Sequence, residues 1–171
     1  MSWSKGLGAV AALALALGLA GCFQPLYSES AHPGLVEDVR AIEVVPIKDR
    51  LGHYLADNLT SAFNGTGETP PPKYRLTVKV STGTSTPTVN SLINVATSAT
   101  VKAEAEFKLV KIDGGDEVLT GKAIAAAAYD RSQQRYSDLR AERDAEIRLA
   151  RALGDEISQR VASGLAAKKS S

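Results

Sequence analysis

The sequence is poor in the residues that most often carry chemistry, with one cysteine and two histidines among 171 residues. A single cysteine excludes an intrachain disulfide, so the folded domain must be stable without one. We expect His32 and His53, which are far apart in sequence, to be surface or hydrogen-bonded residues. The chain also lacks HExxH, GxSxG and Walker-type motifs. These absences predict a protein that is not an enzyme and has no catalytic residues.

Charge of one sign is not in excess either. The chain has 20 Lys and Arg against 19 Asp and Glu, a formal net charge of +1. Such a balance gives no case for binding nucleic acid or for strong attraction to an anionic membrane. Asp113 and Asp116 flank two glycines, but two acids are too few ligands for calcium. We therefore expect no metal ion and no cofactor, apart from a covalent lipid described next.

Long apolar runs are limited to one, at residues 6–19, which follows the positive charge of Lys5. A membrane-spanning helix needs about 20 apolar residues, whereas a signal peptide has a shorter apolar region after a basic start. The run therefore predicts a signal peptide.

The four residues that end this region are Leu19, Ala20, Gly21 and Cys22. They match the bacterial lipobox, in which signal peptidase II cuts before a cysteine that carries a diacylglycerol thioether. The alternative is an ordinary secretory leader with an incidental cysteine. The position, the small flanking residues and the lack of any other cysteine favour lipidation at Cys22, with Leu19, Ala20 and Gly21 as the peptidase recognition residues.

Acylation would anchor the protein to a membrane without inserting it, since each buried methylene contributes about 0.8 kcal/mol. The sequence then divides into four parts. We predict a signal peptide at residues 1–21, a lipidated tether at 22–37, a single domain at 38–166 and a disordered tail at 167–171.

The pattern of apolar and polar residues in the domain predicts an α/β fold, specifically an α+β two-layer sandwich. Alternation of apolar and polar residues marks strands, and a period near four marks helices. Residues 118–129 are rich in alanine and would also suit a helix, but the Asp-Gly-Gly-Asp turn before them favours a returning strand. The predicted order is β-α-β-β-β-α, giving a four-stranded mixed sheet with two helices on one face. The elements are expected at residues 39–47, 49–65, 74–81, 98–109, 118–129 and 137–165. We expect Asp49 to cap the first helix and Asn64-Gly65 to end it.

Two segments are candidates for contacts with a partner. The uncharged connection at residues 82–97 is either a flexible hairpin loop or a loop whose apolar tip touches lipid or another protein. Arg131 and Arg135 precede the last helix and have only Asp130 as a close acidic neighbour in sequence. They are our first candidates for binding an anionic headgroup, with Lys73 behind them.

Four stretches of the chain resemble the LPS-assembly lipoprotein (LptE) family, particularly its alphaproteobacterial branch. They are "CFQPLY" after the lipobox, "VVPIKDRLGHYLADNL", "YRLTVKV" and "AAAYDRSQQRYSDLRAERDAEIRLARALGDEI". With the intervening sheet, the resemblance spans residues 22 to about 161. Phe23 directly after the cysteine departs from the commoner Cys-Gly-aromatic start, and it is compatible with sorting to the outer membrane.

The resemblance implies an outer-membrane lipoprotein that faces the periplasm and the lumen of a β-barrel. Members of the family plug that barrel, help to assemble it and take part in inserting lipopolysaccharide (LPS) into the outer leaflet; they are reported to bind LPS themselves. Their LPS contacts are associated with basic residues near sheet loops, and the connection at residues 82–97 has none. The barrel, LPS and the outer membrane are therefore the expected partners.

Two other functions are compatible with the same residues. One is a lipid-anchored periplasmic binding module for a small ligand or lipid, which a large apolar cavity would favour. The other is a structural envelope lipoprotein.

The lipobox generates the first prediction. In the native host, Cys22→Ala should yield an uncleaved or soluble form, because the thiol that accepts the lipid is gone. Membrane fractionation together with the mass of the processed chain measures this. Normal acylation and normal fractionation of the variant would contradict the prediction.

Overall fold

The structure is a computed structural model that describes residues 33–65, 70–86, 89–90, 95–96 and 98–169. The predicted signal peptide, Cys22 and most of the predicted tether lie outside these residues. The described elements, in chain order, are α1 (Leu35–Arg40), β1 (Ile42–Val44), α2 (Asp49–Asn64), β2 (Tyr74–Ser85), β3 (Val89–Asn90), β4 (Val95–Ala96), β5 (Ser98–Lys111), β6 (Glu117–Asp130) and α3 (Arg135–Lys169).

A four-stranded mixed sheet with helices on one face confirms the predicted fold class. The strand order is β1-β2-β5-β6, and a separate pair, β3 and β4, lies within the connection between β2 and β5. β1 runs parallel to β2, whereas the pairs β2–β5 and β5–β6 are antiparallel. The helices α2 and α3 cover the apolar face of this sheet.

The predicted alternation in the central strands is confirmed. In β2, Leu76 and Val78 are buried while the neighbouring Arg75, Thr77 and Lys79 are exposed. In β5, every second residue from the start of the strand is buried: Ala99, Val101, Ala103, Ala105, Phe107 and Leu109. Because strand side chains alternate between faces, one face of the sheet forms the core and the other stays in contact with water.

The hairpin between β5 and β6 follows the predicted turn. Gly114 and Gly115 have φ values of 92° and 71°, a left-handed region that glycine adopts without a steric penalty. After the turn, a register shift pairs Val110 with Glu117 and Leu109 with Leu119. The alanine-rich segment is therefore a strand, as the hairpin argument predicted.

Packing explains why position 121 is a glycine. A Cβ added there would lie 2.6 Å from Cζ of Phe107, so the aromatic ring of Phe107 occupies the space above Gly121. This pair fills the core where β6 meets β5.

Three predictions at the start of the domain are wrong. Val39 and Arg40 belong to α1 and not to a strand, so β1 spans only Ile42–Val44. The helix α1 begins inside the predicted tether, and its Leu35 is fully buried. Asp49 does not cap α2: Lys48 occupies the N-cap position without a side-chain hydrogen bond, and Asp49 has a φ of 69°.

The predicted ends of other elements also need correction. β2 continues to Ser85, four residues into the predicted loop, and pairs with β5 as far as Thr100. α3 begins at Arg135 and ends at Lys169, so the first part of the predicted tail is helical. The end of α2 at Asn64, before Gly65, is as predicted.

Candidate functional site

The face of the sheet opposite the helices is a polar surface built from three long strands. Its members alternate with the core residues, because side-chain direction reverses at each step along a strand. The exposed positions include Arg75, Thr77, Lys79 and Ser81 in β2, Lys102, Glu106 and Lys108 in β5, and Thr120, Lys122, Ile124 and Ala126 in β6. We call this surface the polar sheet face.

Charges on the polar sheet face are paired across strands. Lys122 Nζ lies 2.7 Å from Glu106 Oε1 and 3.0 Å from Glu104 Oε1. The hydrogen bonds that Lys122 donates to these two carboxylates raise the pKa of Lys122, and the same lysine lowers the pKa of Glu106. Lys79 lies opposite Glu106 on the other side. The face is therefore rich in charge but locally neutral.

The same face changes character toward the end of the sheet that carries the β2–β5 connection. Beyond Glu104 the residues on this face are mostly small or uncharged. Ser81, Gly83, Ser85, Ala126 and Ala128 are exposed and Thr100 is half-buried, with the exposed Lys102 among them. Ile124 is 67% exposed at the boundary. One half of the face thus presents ion pairs, and the other presents a flatter, less charged surface.

A cluster of one acid and two lysines joins three distant parts of the chain. Asp38 in α1 is 9% exposed, and its carboxylate lies 2.8 Å from Lys169 Nζ and 3.1 Å from Lys73 Nζ. Lys169 Nζ also donates a hydrogen bond to the carbonyl of Pro33, at 2.8 Å. Burial raises the pKa of Asp38, but the hydrogen bonds and charges of Lys169 and Lys73 outweigh burial and lower it overall.

The three predicted LPS-contact residues do not form one site. Lys73 precedes β2 at the end of the sheet that carries the Asp113–Asp116 turn, whereas Arg131 and Arg135 follow β6 at the opposite end. At about 3.3 Å per residue along the strands, roughly 40 Å separates these ends. Lys73 also forms an ion pair with Asp38, so its ammonium already has an anionic partner.

Arg131 and Arg135 lie on either side of the turn that precedes α3, and they differ in their neighbours. Arg131 Nη2 is 3.8 Å from Asp138 Oδ2, an acidic neighbour that the sequence argument did not identify. For Arg135, no carboxylate of the described residues lies within ion-pair distance. Arg135 is thus the freer of the two cations.

The first ten residues of α3 carry further features that sequence reasoning missed. Ala145 is the first buried residue of the helix, so the preceding turns extend past the core. Tyr136 and Leu139 are 72% and 57% exposed, and the guanidinium of Arg140 lies 5.9 Å from the centre of the Tyr136 ring. In the sequence, the apolar residues Tyr136 and Leu139, three positions apart before the buried stripe of the helix begins, were the pattern that could have indicated this surface.

A cleft of about 290 Å³ lies where α2 begins. Val80, Thr82 and Thr84 of β2 form one wall, and the first residues of α2 form another. An ion pair between Arg50 and Glu146 links α2 to α3 beside it, with Nη2 2.7 Å from Oε1. The lining of the cleft therefore mixes apolar side chains such as Val80 and Val101 with threonine hydroxyls and charged groups.

The remaining predictions concern the lipobox, metal ions and membrane-spanning helices. Leu19, Ala20, Gly21 and Cys22 lie outside the described chain, so lipidation stays a prediction. Among the described residues, no three His, Cys, Asp or Glu side chains are arranged to hold a metal ion. No helix in the described ranges has both the length and the apolar character to cross a membrane.

Comparison with solved structures identifies bacterial lipoproteins of the same fold. A candidate lipoprotein from Caulobacter crescentus is 24% identical, with a TM-score of 0.63 over 78% of this chain and 96% of its own. Rare lipoprotein B from Shewanella oneidensis is 14% identical, with a TM-score of 0.52 over 71% of this chain and 93% of its own. No family model matches the sequence, and no curated protein matches it either.

These likenesses concern the fold. The chain shares its arrangement of sheet and helices with proteins described as lipoproteins, and the coverage extends over nearly the whole of each solved structure. At such identities the residues of a site cannot be transferred from one protein to another.

The Asp38 cluster generates a prediction about pH. The pKa of Asp38 is lowered in the folded state, so its ion pairs contribute stability above the unfolded pKa of about 3.9, and that contribution is lost as the pH falls below it. Asp38→Asn should therefore cost about 1–2 kcal/mol at pH 7 and clearly less at pH 3. Denaturant unfolding at the two pH values measures the difference.

The control for this experiment is Asp155→Asn, at an exposed position on α3. This substitution should change the free energy of unfolding by less than about 0.5 kcal/mol at either pH. A pH-independent loss in Asp38→Asn would contradict the ion-pair explanation.

Proposed function

We propose that this protein is an outer-membrane lipoprotein, anchored through Cys22, that plugs and helps to assemble the β-barrel translocon for LPS. In this role it takes part in LPS transport and insertion at the outer leaflet. It acts as a binding and assembly partner, not as an enzyme, and it uses no cofactor; the lipid on Cys22 is a covalent anchor.

The anchoring part of the proposal is supported by two independent lines. The lipobox places a lipidated cysteine at the start of the mature chain, and solved proteins with this fold are described as lipoproteins. A sequence argument and a fold likeness thus point to the same compartment, the surface of a bacterial membrane.

The polar sheet face carries the plug proposal. The interior of a channel-forming barrel is polar and wet, so a protein seated in it should present a polar, locally neutral surface. The cross-strand pairs of Lys122 with Glu104 and Glu106 supply such a surface without a large net charge. The less charged half of the same face, with its small side chains, suits closer contact with a wall.

Contact with LPS is the finer part of the proposal. Lipid A carries phosphates, and a guanidinium can pair with phosphate oxygens through two parallel hydrogen bonds. Arg135, with Arg131 beside it, lies next to the exposed Tyr136 and Leu139. This grouping offers cations and apolar surface to an amphiphile that carries both phosphate and acyl chains.

The cleft at the start of α2 is the observation that bears on a second function, although it is smaller and more polar than the large apolar cavity that would favour that function. Its volume of about 290 Å³ is near the lower end of the range for small-molecule sites. A lipid-anchored periplasmic binding module would use such a cleft for a small ligand. That function requires neither a barrel nor LPS.

Depletion in the native host tests the main proposal. If the protein is an assembly partner, its loss should reduce folded barrel, lower LPS at the cell surface and raise permeability to large hydrophobic antibiotics. Heat-modifiability of the barrel, surface LPS and antibiotic sensitivity measure these effects, with the wild-type copy restored as control. An unchanged barrel and barrier, with no barrel co-purifying in mild detergent, would favour the binding module.

The LPS contact has its own test. The double variant Arg131→Ala, Arg135→Ala should bind LPS at least about fivefold more weakly at low salt, since charge-assisted hydrogen bonds contribute about 1.5–3 kcal/mol. The pair Arg75→Ala, Arg151→Ala removes two cations elsewhere and serves as the control. Equal affinity of the double variant and the wild type would remove these arginines from the site.

A further inference from the structure

The two edges of the four-stranded sheet differ in how far other parts of the chain cover them. β6 forms one edge, and three cations of α3 donate hydrogen bonds to its backbone carbonyls. Arg148 Nη2 lies 3.0 Å from the carbonyl oxygen of Ala128, and Arg160 Nη1 lies 2.7 Å from that of Lys122. Lys168 Nζ reaches the carbonyl of Glu117 at 3.4 Å. Covered carbonyls and nearby positive charge hinder the addition of another strand at this edge.

The opposite edge is open over most of its length. β1 pairs with only the first three residues of β2, ending at Val44 and Leu76. One more hydrogen bond follows, from Val45 N to the carbonyl of Leu76 at 2.9 Å. Pro46 then has no N–H to continue the ladder, and the chain leads into α2. Within the described ranges, no strand pairs with the outer side of β2 from Thr77 to Ser85.

The backbone groups that face this open edge can be identified from the hydrogen bonds on each side. The carbonyl of Leu76 points toward β1, whereas that of Lys73 accepts a hydrogen bond from Ile112, which directly follows β5. Since the direction alternates along a strand, the N–H and C=O groups of Val78, Val80, Thr82 and Thr84 point outward. Among the described residues, no strand pairs with these donors and acceptors, which recur at ladder spacing.

The usual protections of an edge strand are missing here. Natural edges carry lysines, prolines or bulges that discourage pairing with another chain. β2 has Lys79, but the six residues from Val80 to Ser85 include no charge and no proline. Its pairing with β5 runs without a bulge through twelve residues. From Val80 to Ser85 this strand therefore has no charge, proline or bulge that would discourage pairing with another strand.

The cleft at the start of α2 lies beside this open edge. Val80, Thr82 and Thr84, three of the residues with outward backbone groups, also line the cleft. A strand added next to β2 would direct every second side chain toward the same face, and hence toward the cleft. In known cases of strand addition, the backbone bonds give affinity and adjoining pockets give specificity.

We propose that the outer edge of β2, from Thr77 to Ser85, binds an extended segment of a partner protein by strand addition. The segment continues the sheet where β1 ends, and one of its side chains occupies the cleft beside α2. The occupant is a polypeptide because the groups on this edge are alternating backbone donors and acceptors, which pair with the same groups of another chain in extended conformation. The proposal concerns the mode of binding and does not require the partner to be a barrel.

Amide hydrogen exchange tests the proposal on the full lipidated chain. The chain is extracted from native membranes in mild detergent with its bound proteins, and compared with the same chain stripped by denaturant and refolded alone. We expect the amides of Val78, Val80, Thr82 and Thr84 to exchange at least about tenfold more slowly in the extracted complex. The odd-numbered amides of β2, which face β5, should be slow in both samples.

A substitution at the edge separates backbone from side-chain effects. Thr82→Pro removes an outward N–H without removing a bond to β5, so co-purified partner should fall about tenfold, as expected for about 1.4 kcal/mol. Thr82→Val keeps the N–H and should retain the partner within about twofold. If Thr82→Pro lowers the melting temperature of the isolated chain, Thr84→Pro, nearer the strand end, provides the same test.

Three results would overturn the proposal. The first is equal exchange of the four amides in both samples, including the case in which the chain is recovered alone. The second is protection in the refolded chain by itself, which would mean that a segment of this chain or a second copy fills the edge. The third is an equal loss of partner in Thr82→Pro and Thr82→Val. Recovery of a partner other than a barrel would count against the proposed function but not against strand addition.

Discussion

The close approach of α3 to the sheet is the constraint on which the rest of the structure depends. The residues of β6 that face the helix are small, including Gly121, Ala123 and Ala127, so the helix axis lies near the strand. On the helix side, a Cβ added at Gly164 would lie 2.9 Å from Cδ2 of Leu119. Larger side chains would move the helix outward and separate the arginines of α3 from the β6 carbonyls. The same small residues that allow close packing of α3 therefore also allow its cations to reach and cover the edge of β6.

This arrangement divides the surface of the domain into unequal parts. One face of the sheet is covered by helices, and one edge is covered by cations of α3. The polar sheet face and the outer edge of β2 remain, and both become less charged toward the β2–β5 connection. The plug proposal uses the face and the strand-addition proposal uses the edge. A partner could therefore engage both without competition between the two modes.

Local patterns predicted most of the fold, because the long strands and the helix α2 are encoded by side-chain period alone. The start of the predicted strand at residues 39–47 is wrong for the opposite reason: β-branched residues favour a strand, but Val39 is held in α1 by burial in the core, and β1 begins only at Ile42. The Asp38–Lys169 pair joins residues 131 positions apart, and Arg131 contacts Asp138 through the turn before α3. Contacts of this kind depend on tertiary packing, which no local period reports.

The hydrogen bond from Lys169 to Pro33 bridges 136 positions and brings the two ends of the domain together. Its sequence separation gives this junction a high contact order, and closing so long a loop carries an entropic cost. During synthesis from the amino to the carboxyl end, α1 cannot reach its final partner until the last turn of α3 is available. The junction therefore acts as a late folding step, and a chain that is still being made or threaded through a pore remains incomplete at its first helix.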